Sequence, residues 1–168
     1  TPGNDSVVVK FHFDGTNGST SFIDSNRNNA RTWQGTTASL STTQAKFGPT
    51  SLNVIGKNWA SPWLPYTNNL TGITWGTNNF TIDFWVYPIS ATQGYTLMWQ
   101  ADSGTSAANT SVFVQLNPDN TVRVIGSDGT TVGAVFYNTT GAVTYSTWNH
   151  IAVVRNGNVF TSASGAID

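Results

Sequence analysis

Apolar and polar residues alternate most clearly between residues 80 and 87. Every second residue from Phe80 to Val86 is apolar, and Trp85 and Tyr87 occupy alternate positions on the opposite face. This period of two is typical of a β-strand with one buried face. We expect the strand to lie in the middle of a sheet, with a loop, a ligand or a partner covering Trp85 and Tyr87.

The same period recurs along the chain. Residues 148–155 form the second clearest strand pattern, and residues 117–120 join two further patterns as a hairpin turn. No stretch keeps a helical period over three turns. Short strands separated by turns, in a chain of 168 residues, predict a single all-β sandwich domain over residues 1–168. The remaining strand patterns lie at residues 7–13, 21–23, 32–39, 51–55, 95–100, 111–116 and 121–125.

Composition narrows the kinds of partner. Charged residues make up only 9% of the chain and the net charge is -1, so no basic field exists to bind nucleic acid. No apolar run approaches the roughly 20 residues of a membrane-spanning helix. We therefore expect neither nucleic-acid binding nor membrane insertion. The many Thr, Ser and Asn residues could instead make neutral hydrogen bonds to protein backbone or to sugar.

Four segments together resemble the laminin G-like domain, a concanavalin A-like lectin/glucanase jelly roll found in phage virion and bacterial surface proteins. They occur in the family's order and spacing. The resemblance implies two antiparallel sheets packed face to face, and a role in binding or assembly rather than in catalysis. The segments are residues 11–20, 45–52, 80–88 and 148–155.

The end of the sequence departs from this family. Members usually continue after the strand at residues 148–155 with further strands, whereas only residues 158–168 remain here. We therefore expect the sandwich to lack its last strands. A fragment, the N-terminal part of a longer chain and a subunit completed by its neighbour are all compatible with this. We expect residues 158–168 to pair with another chain, because an unpaired edge strand templates a partner.

Glycoside hydrolysis is the obvious chemistry to test against this resemblance. The glucanases of this fold use two glutamates, and the chain contains none. Asp83 is the only aspartate inside a clear strand, and no Asp-x-Asp motif accompanies it. The only histidines, His12 and His150, occur without a Gly-x-Ser-x-Gly elbow. The sequence therefore predicts that the protein is not an enzyme.

The resemblance also implies a calcium site at the rim of the sandwich. Asp14, Asp24 and Asp102 lie in predicted turns and could supply the oxygen ligands that calcium prefers. The simpler alternative is that these side chains cap turns through nearby backbone amides. Calcium is therefore a candidate cofactor.

Aromatic residues cluster ahead of the strand at residues 80–87. Trp59, Trp63, Tyr66 and Trp75 could stack on sugar rings and form a carbohydrate-binding surface. Alternatively, this segment folds over the sheet and its aromatics form a second small core. For Trp85, which belongs to the family's fold pattern, the core interpretation is favoured.

Together these features predict a non-catalytic structural or decoration protein of a phage capsid or tail, or of an extracellular surface. Its expected partners are other protein subunits, in an oligomeric assembly. The alternative is a carbohydrate-binding adhesive module that recognises cell-surface glycan. A glycan array would separate the two hypotheses, since uniform binding across all sugars would contradict the second.

Overall fold

The computed structural model describes residues 7–26, 32–35, 38–54, 62–63, 79–90, 95–101, 110–126, 134–138, 143–156 and 159–166. Within these residues all regular elements are strands, and none forms a helix long and apolar enough to cross a membrane. The strands are β1 Ser21–Ile23, β2 Thr32–Gly35, β3 Ala38–Ser41, β4 Ser51–Val54, β5 Pro62–Trp63, β6 Phe80–Val86, β7 Tyr95–Ala101, β8 Thr110–Leu116, β9 Val122–Gly126, β10 Ala134–Asn138, β11 Asn149–Asn156 and β12 Val159–Ala166.

The residues group into two compact units, Thr1–Thr74 and Trp75–Asp168. The C-terminal unit contains two antiparallel sheets, ordered β12-β11-β6 and β10-β9-β8-β7. Aliphatic side chains from both sheets form one buried core, as in a β-sandwich. The fold is therefore the predicted all-β, concanavalin A-like sandwich of antiparallel sheets. That residues 1–168 form a single domain stays a prediction.

Alternation decides which side chains enter this core. On β11, Asn149, Ile151 and Val153 are buried, while the residues between them are only half-buried. The apolar residues of β6, from Phe80 to Val86, pack against the same core. The predicted face of β6 is thus confirmed.

The position of β6 within its sheet differs from our expectation. Among the described strands β6 pairs with β11 alone, and β11 is the central strand of the three. The reason is that alternation reports which face of a strand is buried. It carries no information on how many neighbours bond to the strand's two edges.

The N-terminal unit contains shorter strands, in the orders β1-β2-β5 and β3-β4. Its core consists of Phe22, Ala38 and Leu40, surrounded by partly buried aromatic residues. The segment predicted as one strand at residues 32–39 is divided between β2 and β3.

Residues 7–13, which we expected to form the first strand, are not part of any sheet in the described structure. A side chain replaces part of a strand ladder here: the Asp24 carboxylate accepts a hydrogen bond from the Lys10 backbone N–H. At the end of the segment Phe13 has a φ of 56°, which is incompatible with an extended strand.

The C-terminal residues adopt a pairing that we did not predict. β12 is antiparallel to β11 over its whole length, from Val159 to Ala166. One edge of this strand is therefore used within the chain. No described strand pairs with its other edge, and a partner strand there stays a prediction.

Candidate functional site

The side of the β12-β11-β6 sheet that faces away from the core carries the most distinctive side chains. In the register of β6 and β11, Trp85 lies opposite His150, Asp83 opposite Ala152, and Thr81 opposite Val154. Directly opposite residues share one face of a sheet. We call this the outer face, defined by Thr81, Asp83, Trp85, His150, Ala152 and Val154.

An aromatic pair occupies one end of the outer face. The ring centroids of Trp85 and His150 are 5.1 Å apart and the ring planes are inclined by 40°. Both residues are half-buried, so part of each side chain is accessible to a partner. Beyond the end of β6, Tyr87 and Trp148 form an edge-to-face contact with centroids 5.5 Å apart. This second pair lies next in sequence to the first and adds aromatic surface.

The middle of the outer face combines small and polar groups. Asp83 is exposed and lies opposite Ala152, a residue with a short side chain. In the register, β12 continues the rows of His150 and Ala152 with Gly165 and Ala163. Asp83 is the one carboxylate among the described residues of the outer face. A glycosidase needs two carboxylates beside the scissile bond, and the outer face supplies one.

The outer face offers side chains that could make several kinds of non-covalent contact. It offers an aromatic ring pair, one carboxylate that accepts hydrogen bonds and a Thr81 hydroxyl that donates and accepts them. His150 is its one basic side chain among the described residues. A largely neutral partner with apolar and hydroxyl or amide groups would match this surface best.

Asp24, one of the predicted calcium ligands, is completely buried and caps a turn. Its Oδ1 atom accepts hydrogen bonds from the backbone N–H groups of Lys10, at 2.9 Å, and Asn26, at 3.0 Å. Its Oδ2 atom is also buried, and the described residues provide no hydrogen-bond donor for it. The turn-capping alternative therefore accounts for one of the two oxygens, and one oxygen is left over that could contact a cation.

Asp14 is exposed, and its carboxylate lies against Gly48. The described residues contain no group of three acidic or histidine side chains that could hold a metal ion. Two aspartates alone fall short of the six to eight oxygens that calcium prefers. Asp102 lies outside the described residues. Calcium binding by Asp14, Asp24 and Asp102 therefore stays a prediction.

The predicted carbohydrate-binding aromatics fall largely outside the described structure. Trp59, Tyr66 and Trp75 lie outside the described residues. The backbone of Trp63 belongs to β5 and pairs with Gln34, but its side chain is not described. Whether these four residues form a sugar-binding surface stays a prediction.

Sequence reasoning did not assemble the outer face. It interpreted Trp85 chiefly as a core residue and gave His150 no catalytic role. Alternation in residues 80–87 and 148–155 does place both side chains on polar faces. That the two residues meet depends on the strand register, which alternation alone leaves open.

Comparison with known proteins agrees with this fold. The family model described as the concanavalin A-like lectin/glucanases superfamily, a laminin G type of domain, matches residues 65–163, more than half of the chain. A search of curated proteins found no match. The matched segment spans β6 and β11, the two strands that carry the outer face. The chain therefore belongs to the concanavalin A-like lectin/glucanase superfamily.

Proposed function

We propose that the chain is a non-catalytic module that binds another protein subunit through its outer face, in a virion or on an extracellular surface. The observation that carries this proposal is the half-buried pair of Trp85 and His150 on a sheet face that is almost free of charge. Centres of protein interfaces are enriched in aromatic residues and depleted of charged ones.

The strand arrangement supports an oligomeric assembly. β12 uses one edge to pair with β11, and the described residues place no strand on its other edge. A strand from a second subunit could extend the sheet there through backbone hydrogen bonds. Such an extension would continue the outer face across the boundary between subunits.

The role in binding rather than catalysis has support from composition. The chain contains no glutamate, and the outer face carries a single carboxylate among its described residues. The acid and nucleophile of a glucanase are therefore not both available on this face.

Removing the Trp85 ring tests the protein-binding function. We expect Trp85→Ala to weaken self-association by about thirtyfold, because truncating an aromatic hot spot at the centre of an interface costs about 2 kcal/mol or more. Sedimentation velocity over a range of concentrations measures this. Thr96→Ala is the control, since Thr96 is exposed on β7 and lies outside the outer face. A wild-type chain that remains monomeric and binds to no other protein of a virion or an extracellular surface would contradict the proposal.

A glycan is the second candidate partner, and the position of Asp83 favours it. Asp83 is exposed two residues from Trp85 on the same face, so a sugar stacked on the ring could donate a hydroxyl hydrogen bond to its carboxylate. On a glycan array we expect selective binding that both Trp85→Ala and Asp83→Ala abolish. Equal signals for all sugars, or selective binding that survives both substitutions, would eliminate this candidate.

A further inference from the structure

The sheet β10-β9-β8-β7 has its own side that faces away from the core, opposite to the direction of the outer face. On β8 and β9 the residues between the buried aliphatic ones are half-buried. In the register of these strands, Arg123 lies opposite Gln115, and Ile125 lies opposite Phe113. Directly opposite residues share one face of a sheet. We call this the Arg123 face, defined by Phe113, Gln115, Arg123 and Ile125.

Arg123 supplies the charge of this face. It is the only charged residue in the four strands β7, β8, β9 and β10. Its Nε atom is buried, and the described residues provide no hydrogen-bond acceptor for it. Buried polar groups normally have hydrogen-bond partners, and a charged group without one is costly. Because the residue as a whole is only half-buried, a carboxylate could approach it from the solvent side.

The outer face on the other side of the sandwich carries the group that Arg123 lacks. Its carboxylate, Asp83, is exposed and lies two residues from Trp85 on the same side of β6, about 7 Å along the strand. A guanidinium bound between them would pair with the carboxylate and contact the aromatic ring. Arginine combines these two interactions readily, because its planar group both bonds carboxylates and stacks on aromatic faces.

We propose that the Arg123 face of one copy of the chain binds the outer face of the next copy, with Arg123 against Asp83 and Trp85. The contact rests on the proposed function of the outer face and identifies the partner subunit as a second copy. With histidine neutral, each face carries one formal charge, and the two signs are opposite. Half-buried Phe113 and Ile125 supply apolar surface for the aromatic rings of the outer face. A net charge of only -1 lets copies approach without strong repulsion.

Such a contact joins two different surfaces, so the copies associate head to tail. Each added copy leaves one face free at either end, and copies add until a ring closes or a filament grows. Because the two faces lie on opposite sides of one sandwich, a single subunit contacts two neighbours at once.

Reversing the two charges one at a time tests this contact. In sedimentation velocity of the whole chain, Asp83→Arg and Arg123→Asp should each weaken self-association by about thirtyfold or more, because each places like charges in the interface. When the two variants are mixed in equal amounts they should associate again, since every contact between them joins an arginine to a carboxylate. The variant that carries both substitutions should recover association for the same reason.

Asp119→Arg is the matched control for Asp83→Arg, because Asp119 is exposed in the turn between β8 and β9 and lies outside both faces. Thr96, exposed on β7 opposite Gln115, lies at the margin of the Arg123 face, where truncation to alanine should change affinity little. If circular dichroism shows that Arg123→Asp disturbs folding, Arg123→Gln takes its place. Its mixture with Asp83→Arg should then stop at heterodimers, because only one of the two possible contacts pairs opposite charges.

Three results would overturn the proposal. The first is self-association that Trp85→Ala weakens but Arg123→Asp and Arg123→Gln leave unchanged; the proposed function would then stand, with a different surface as the partner. The second is a mixture of folded variants that stays monomeric at concentrations where the wild type associates. The third is a wild-type chain that is monomeric at every concentration, even if its outer face binds another protein.

Discussion

The two compact units of the chain reach their structures by different physical routes. In the C-terminal unit, long strands present aliphatic side chains such as Val114, Val124 and Ile151 to one core between two sheets. In the N-terminal unit the buried core is small, and three buried polar residues accompany it: Asp24, Asn26 and Thr50. The C-terminal unit depends mainly on apolar burial, whereas the N-terminal unit depends heavily on side chains that hydrogen-bond to the backbone.

The polar residues of the N-terminal unit take the place of a strand ladder. The Asn26 side-chain amide donates to the carbonyls of Val7 and Val8, at 2.8 and 2.7 Å. Asp24 accepts from the Lys10 N–H, and Thr50 bonds on both sides of Asp14. These bonds explain why residues 7–13 can cross the unit without pairing in a sheet. They also predict that the two units respond to different mutations.

The largest expected effect is that of Ile151→Ala in the C-terminal core. Ile151 is completely buried on β11, and its truncation should destabilise the protein by about 3 kcal/mol through lost burial and a new cavity. Urea unfolding measures this loss. Val154→Ala is the matched control on the same strand, because Val154 lies half-buried on the outer face and should lose about 1 kcal/mol or less. Equal losses of stability for the two variants would contradict a core that is formed by alternate residues of β11.

Thr50→Val tests the polar route of the N-terminal unit. The substitution keeps the shape but leaves the Gly15 N–H and the Phe13 carbonyl without their partner, a loss of about 2 kcal/mol. Hydrogen exchange of the amides in residues 7–26 should accelerate, while exchange in β8 and β11 should change little. Thr42→Val, at an exposed position, is the control. A Thr50→Val protein that is as stable as wild type would show that apolar packing alone holds this unit.

Two glycines of the N-terminal unit, Gly18 and Gly48, have a positive φ. Comparing their alanine variants separates the cost of backbone strain from the cost of a steric contact. Gly18, at 84°, has open space where a Cβ would stand, whereas a Cβ on Gly48, at 66°, would collide with the Asp14 carboxylate. Each substitution to alanine should cost about 1–2 kcal/mol for the left-handed conformation. Gly48→Ala must in addition displace the Asp14 carboxylate, so its loss of stability should be slightly the larger of the two. Thermal unfolding of the two variants measures the difference.

Equal losses of stability for the two glycine variants would show that the Asp14 carboxylate moves aside without cost. A much greater loss of stability for Gly18→Ala than for Gly48→Ala would contradict the open space at Gly18. The first result would disprove the contact between Gly48 and Asp14, and the second would disprove the open space beside Gly18.

The difference between the units also explains what the sequence could predict. Alternation located β6, β8, β9 and β11 and the buried face of β6, because burial of one face imposes a period of two. It failed at residues 7–13, where the same period occurs but Asp24 and Asn26 bond to the backbone in place of a strand. The turn at Phe13 was equally out of reach, since it depends on a positive φ at that residue. No residue pattern marks a bulky side chain that tertiary contacts force into the left-handed region.

The smallest expected effect tests whether the C-terminal unit also uses local polar bonds. In the turn between β8 and β9, the Asp119 carboxylate accepts hydrogen bonds from the Thr121 hydroxyl, at 2.6 Å, and from its backbone N–H, at 3.1 Å. These bonds favour the charged form and hold the pKa of Asp119 below its ordinary value of 3.8. A lowered pKa in the folded state stabilises the protein above the unfolded pKa, and this contribution disappears as the pH falls through the folded pKa.

Asp119→Asn should therefore have a slightly lower melting temperature than wild type at pH 7, and the difference should vanish as the pH falls below about 4. Thermal unfolding followed by circular dichroism at several pH values measures it. Asp83→Asn removes the same charge from an exposed strand position and controls for net charge. A difference that stays constant down to pH 2 would show that the charge of Asp119 contributes nothing. The hairpin would then depend on strand pairing alone, which would make the contrast between the two units sharper still.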